Sequence, residues 1–169
     1  MAEHLAFAVN AEGLGLAPFD AWLVLRGLKT LGVRLDRECA SAGTLARALA
    51  DALGPGRVLY PELAGHPGRE VHRRQARGGG SVLAFLAGTA ERARAVVDRT
   101  RLFTTAVSFG NTSSSIGLPC AMSHASVPTG SRHVGGLRPD LVRLSVGLED
   151  PGDLLEDLRQ ALPAACGAR

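Results

Sequence analysis

Apolar residues recur at helical spacing along the first third of the chain. Trp22, Leu23, Leu25, Leu28, Leu31 and Leu35 follow a proline at position 18. Proline suits the first turn of a helix, where its missing N–H has no intrahelical partner, and Asp20 complements the positive end of the helix dipole. The pattern predicts a helix from Pro18 that runs, after a break or kink, through Ala40 to Leu53, with Gly54-Pro55-Gly56 as its stop. Shorter elements follow. Residues 58–60 read as a strand closed by Pro61, residues 67–76 as a short basic helix ended by Gly78-Gly79-Gly80, and residues 81–86 as an apolar strand. Thr89 is placed to cap a helix over 90–99, and residues 103–109 alternate as a strand does. Residues 111–117 read as a polar loop, 121–127 as a short strand and 128–136 as a loop. Residues 141–150 (LVRLSVGLED) read as a buried strand, a tight glycine turn and the acidic start of a helix. In the helix expected over 153–162, Leu154, Leu155, Leu158 and Leu162 share one face.

Residues 1–17 lack a clear amphipathic period. They read as a lead-in arm, and Leu5, Phe7, Val9, Leu14 and Leu16 make that arm unusually apolar for a terminus. It is expected to pack on a surface outside this chain. Residues 18–54 form the helical region and residues 55–169 the part where strands and helices alternate. The order predicts an α/β fold: an open sheet of three to five strands with helices on one face.

Composition sharpens this picture in three places. At 46% hydrophobic but only 4% aromatic residues, the core must be built from Leu, Val and Ala. The net charge of +3 rests on arginine, because Lys29 is the only lysine. Arg69, Arg73, Arg74 and Arg77 cluster without interleaved aromatics, which favours a solvated helix face over a nucleic-acid surface. Cys39, Cys120 and Cys166 have no metal-ligand spacing, so no metal is expected. With no secretory pattern and no apolar run of membrane-spanning length, the expected compartment is a reducing cytoplasm.

Four features invite a chemical reading. The Gly78 to Gly80 run lacks the Lys-Ser or Lys-Thr that completes a phosphate loop, and reads as a helix stop. Ser123 and His124 are adjacent in sequence, without an acid placed to orient the ring, and read as structural. Asn111 to Ser115 is a hydroxyl-rich stretch that forms either a solvated turn or a loop for an anionic group. Arg143 stands alone among apolar residues. A buried guanidinium needs a partner, and its planar fork fits a carboxylate with two parallel hydrogen bonds. It therefore pairs with an acid of its own fold or receives a carboxylate ligand.

Residues 18–31 (PFDAWLVLRGLKTL), 60–75 (YPELAGHPGREVHRRQ), 108–127 and 141–150 stand in the order and at gaps resembling those of the Cys/Met-metabolism family of pyridoxal-phosphate enzymes. That family includes cystathionine γ-synthases, cystathionine lyases, methionine γ-lyases and O-acetylhomoserine sulfhydrylases. The resemblance extends from about Phe7 to Leu162 and matches the family's C-terminal portion. It implies the small C-terminal domain of an aspartate-aminotransferase-type, fold type I enzyme, with a long interdomain helix ahead of it. Residues 1–17 would then be the end of the large domain.

The resemblance also implies roles. Arg143 stands where the family's RLSVGLE arginine binds the substrate α-carboxylate. Ser114 matches the serine of the family's SLGGxES loop, which helps hold that group. Asn111, Ser113 and Ser115 replace a glycine, a glutamate and a leucine of the same loop, which leaves the reaction type open between β- or γ-elimination and γ-replacement. The family's Schiff-base lysine, and the groups that hold pyridoxal 5'-phosphate, belong to a large domain with no counterpart here. Lys29 matches an ordinary helix position, so no catalytic residue is expected in this chain. The expectation is a subunit of a split enzyme, active only with a lysine-bearing large-domain chain, in a hetero-oligomer of two-fold symmetry. A regulatory or interaction subunit without turnover is the alternative. Nucleic acid and membrane are not expected partners.

Overall fold

The structure, a computed structural model, describes residues 1–107, 110–125 and 137–162. It divides into two units, Met1–Val33 and Arg34–Arg169.

In the first unit the expected arm is a helix, α1 (Ala2–Ala11), and none of its side chains is buried. Alanine and leucine are strong helix formers, so propensity makes a helix here although no amphipathic period marks one. Helix α2 (Pro18–Leu28) begins with Pro18 in its first turn, as expected, and also buries no side chain. The anticipated break falls at Lys29-Thr30, after which α3 (Leu31–Leu53) begins. Gly54 ends α3 in a left-handed conformation, φ 90°, which glycine adopts without steric cost.

In the second unit β1 (Val58–Leu59), α4 (Arg69–Gln75), β2 (Val82–Leu86), α5 (Ala90–Arg99), β3 (Thr104–Thr105), β4 (Ser115–Gly117), β5 (Leu141–Ser145) and α6 (Pro151–Ala161) follow in order. The five strands form one mixed sheet in the order β1-β2-β5-β4-β3. Only the β3/β4 pair is parallel. The arginine-bearing strand β5 is thus central, with Ala84 of β2 and Gly117 of β4 opposite Arg143 on its two sides.

Alternation along the strands separates two faces. Leu83, Phe85, Ile116, Val142 and Leu144 point into a core shared with Ala42, Leu45 and Leu49 of α3, Ala93 and Val96 of α5, and Leu154 and Leu158 of α6. The other face carries Ala84, Arg143 and Ser115, all only half-buried. Helices α3, α5 and α6 therefore pack on one face, as expected of the α/β fold, and Arg143 lies on the other.

Two expected elements differ. The last three residues of the polar loop at 111–117 are strand β4, because Ser115, Ile116 and Gly117 find ladder partners in Ser145, Leu144 and Arg143. Residues 121–125 are turns, not strand: the N–H groups of Met122 and His124 donate to Leu118 and Pro119 carbonyls, four and five residues back. The loop expected at 128–136 lies outside the described residues, as do positions 108, 109, 126 and 127.

Candidate functional site

Arg143 is half-buried rather than buried, on the face of β5 opposite the core helices α3, α5 and α6. Small neighbours make room for its stem. Gly117 lies beside it on β4, and a Cβ on Gly117 would come within 2.9 Å of the Ala106 carbonyl. Nη2 of Arg143 donates to the Val107 carbonyl at 2.5 Å, which holds the guanidinium toward the β3 side of the sheet. Ser115 and Ser145 oppose each other two residues along the ladder and so share this face with Arg143. The Ser145 hydroxyl is buried and accepts the Gly110 N–H at 3.1 Å, tying the start of the hydroxyl-rich loop to the central strand.

That loop is latched onto the turn that follows β5. Ser114 is fully buried. Its backbone N–H donates to Glu149 Oε1 at 2.6 Å and its hydroxyl donates to Glu149 Oε2 at 2.8 Å. The same hydroxyl accepts the Gly147 N–H at 2.9 Å. The Leu148 N–H donates to the Thr112 carbonyl at 2.8 Å. Such close docking requires glycine at 147: a Cβ there would lie 2.4 Å from the Thr112 carbonyl oxygen and 2.7 Å from Ser113. Both donors of Ser114 are therefore committed to Glu149. These bonds fix the loop beside β5, and Arg143 presents its guanidinium on the sheet face opposite the core helices. Asn111 braces the loop locally, its Oδ1 accepting the Thr112 N–H at 2.7 Å, and Ser113 is exposed.

Sequence reasoning named Arg143 and residues 111–115, read Gly147 only as a tight turn and Glu149 only as the acidic start of a helix, and gave no role to Ser145. All three lie inside the LVRLSVGLED stretch. The available signal was a carboxylate four residues past the end of an apolar strand, where it either solvates or binds backbone donors. Elsewhere, Ser123 Oγ and His124 Nδ1 lie 2.8 Å apart, a contact between adjacent residues on the surface. Among the described residues no group of three His, Cys, Asp or Glu side chains could hold a metal ion.

An open mixed α/β sheet with helices packed on one face is the arrangement seen in a fold type I pyridoxal-phosphate enzyme. A putative O-acetylhomoserine (thiol)-lyase from Campylobacter jejuni, solved with N'-pyridoxyl-lysine-5'-monophosphate, matches with a TM-score of 0.83 at 33% identity, over 89% of this chain and 36% of that chain. The family described as Cys/Met metabolism PLP-dependent enzyme matches residues 1–163, and the chain belongs to that family. A chloroplastic cystathionine beta-lyase from Mimosa pudica is 48% identical over 162 residues, covering 96% of this chain and 35% of that protein. A cystathionine gamma-lyase from Saccharomyces cerevisiae is 44% identical over 167 residues, covering 96% of this chain and 42% of that protein. The chain thus spans about two fifths or less of the length of these relatives.

Pyridoxal phosphate is the cofactor of this family. The residues of this chain do not by themselves make a site for it. Its single lysine, Lys29, is exposed just past α2. The groups on the Arg143 face of the sheet are a guanidinium, hydroxyls and backbone amides, a set suited to receiving a carboxylate.

Proposed function

We propose that this chain is the carboxylate-binding part of a pyridoxal-phosphate enzyme acting on a sulfur-containing or O-activated homoserine-type amino acid. A separate lysine-bearing chain would complete it, and elimination or γ-replacement is the reaction class. The observation that carries this reading is the placement of Arg143: on the central strand, on the face opposite the core helices, beside a loop held rigid by Glu149. When bound in the partner, the cofactor would supply the electron sink for carbanion chemistry. Arg143 would hold the α-carboxylate through its planar fork and so set the direction of the Cα–H bond, a positioning role. The names of the relatives, cystathionine lyases and an O-acetylhomoserine lyase, support the substrate class.

The test is co-purification of this chain with a lysine-bearing large-domain chain of the family, followed by a pyridoxal-phosphate absorbance titration and an amino-acid titration. A visible cofactor band in the complex, absent with this chain alone, is the expected result. In that complex Arg143→Ala should weaken amino-acid binding by about 100-fold while leaving the cofactor band in place, since charge-assisted hydrogen bonds contribute roughly 1.5–3 kcal/mol each. Arg143→Lys should fall between, keeping the charge and losing the fork. Unchanged amino-acid affinity in Arg143→Ala would refute the role.

A second reading is favoured by the loop itself. Asn111, Ser113 and Ser115 depart from the family pattern at positions beside the carboxylate site. A regulatory or interaction subunit, binding an amino acid or a full-length family enzyme without turnover, would tolerate those changes. It is distinguished by amino-acid binding to this chain alone, or by a stable complex with a full-length family enzyme, and by no cofactor band when it is combined with a lysine-bearing large-domain chain.

A further inference from the structure

The solvated face expected of α4 carries Arg73 and Arg74, both exposed, and it borders a cleft. An open cleft of about 720 Å³ within the Arg34–Arg169 unit is lined by Arg47 of α3, Arg69 and Arg73 of α4, and Arg77 just beyond it. His72 and Glu62 complete its polar lining, so four guanidinium groups face one carboxylate. Like charges gathered at one cleft repel one another unless an anion sits among them.

Two of the four are held in place. Arg69 Nε donates to the Glu62 carbonyl at 3.2 Å, and its Nη1 lies 3.8 Å from Glu70. Arg47 folds back over Gly43, where a Cβ would meet its Nη1 at 3.3 Å, and its Nη2 lies 3.5 Å from Thr44 Oγ1. Gly43 thus leaves the space in which the Arg47 guanidinium lies. His72 Nε2 and the Gly78 carbonyl are 2.9 Å apart, which closes the turn carrying Arg77 back onto α4. The Arg73 and Arg77 side chains have no hydrogen-bonding or ionic partner among the described residues.

We propose that this cleft binds a small phosphate-bearing anion with a di- or polyphosphate chain. Guanidinium forks match phosphoryl oxygens, several separated forks suit more than one phosphoryl group, and the volume falls in the range of small-molecule sites. None of the lining residues belongs to the Arg143 face, so the site is separate from the one described above and does not depend on its assignment.

The test is calorimetric titration of the full chain with inorganic pyrophosphate, ionic strength held constant with sodium chloride, and a parallel titration with ATP. Saturable binding of one equivalent is expected. The Arg73→Ala/Arg77→Ala variant should bind pyrophosphate about tenfold more weakly or worse, since each lost charge-assisted hydrogen bond contributes on the order of 1.5 kcal/mol or more. Arg94→Ala/Arg99→Ala, a charge-matched change at exposed positions of α5, should bind as the parent does. Equal affinity for pyrophosphate and ATP supports recognition of the phosphate chain alone, and tighter ATP binding supports a nucleotide. Absence of saturable binding overturns the proposal, as does equal weakening in the two double variants. A single-stranded oligonucleotide that binds and is not displaced by pyrophosphate would overturn it in favour of a nucleic-acid surface.

Discussion

At the scale of single residues, the LVRLSVGLED stretch carries two jobs on one strand. Val142, Leu144 and Val146 are buried in the core, and Arg143 faces the other way. Beyond the strand, Glu149 satisfies the backbone and hydroxyl donors of buried Ser114. Replacing Glu149 by Ala leaves those donors without an acceptor, at a cost of about 1–3 kcal/mol. Glu149→Gln keeps one acceptor oxygen and should recover part of the loss. Thermal unfolding of the two variants checks the order, and equal stability of Glu149→Ala and parent would show that the latch does not hold the loop. A second residue-scale prediction concerns acid. The Arg138 side chain lies 2.9 and 3.1 Å from the two carboxylate oxygens of buried Asp140, which also accepts the Gly88 N–H at 3.2 Å. Chiefly through that Arg138 hydrogen bond, the Asp140 carboxyl is held below its ordinary value of 3.8. A depressed folded pKa means the unfolded chain takes up the proton first. The contribution is therefore complete above the ordinary value and is lost as pH falls from there through the folded pKa. Asp140→Asn should unfold more readily near neutral pH, with the gap from the parent narrowing in acid. A gap independent of pH between neutrality and pH 3 would refute the linkage.

At the scale of elements, what could be read from sequence depended on whether the deciding interaction was local. Thr89 accepts the Arg92 N–H at 3.2 Å, the cap expected of it. Asp150 accepts the Gly152 N–H at 2.8 Å and caps α6, which starts at Pro151, two residues before the start expected at 153. Caps and proline starts are chosen by neighbours in sequence and are legible there. Strand β4 was not, because serines at 113–115 have turn chemistry and only the ladder to β5 makes Ser115 a strand residue. Asp157 was equally hidden, within a helix read for its leucines. It is buried, and its two oxygens accept the N–H groups of Arg101 at 2.9 Å and Leu102 at 2.8 Å, fixing the segment before β3 to α6. Asp157→Ala strands two backbone donors and should cost about 2–4 kcal/mol, more than the loss of about 1 kcal/mol expected for the exposed cap change Asp150→Ala. Chemical denaturation of both variants checks the ranking. If Asp150→Ala proves the costlier, Asp157 is not the tie between these elements.

At the scale of the whole molecule, the two units differ in what their apolar residues do. In Arg34–Arg169 they make one core. In Met1–Val33 they are exposed, among them Phe7 at 73%, Phe19 at 67% and Leu25 at 60%. Helices of 10 and 11 residues with no buried side chain are marginal in water, since most helical stability comes from packing an apolar face. No described helix is long and apolar enough to cross a membrane. A partner surface would cover these side chains, and the proposed lysine-bearing chain would provide it. Trp22 reports on this directly: it is the only tryptophan, is 56% exposed, and stacks at 5.9 Å on Phe19. With the chain alone at low concentration, its emission should be that of a solvated indole and far-UV circular dichroism should show α1 and α2 incompletely formed. Adding the lysine-bearing chain should shift the emission to the blue and raise helicity together, because burial of the apolar faces and completion of the helices are one event. A blue shift that instead tracks the concentration of this chain alone would assign the surface to a second copy. Emission that stays solvated in a purified complex would mean that the partner docks elsewhere, and would remove the exposed unit as support for the split-enzyme reading.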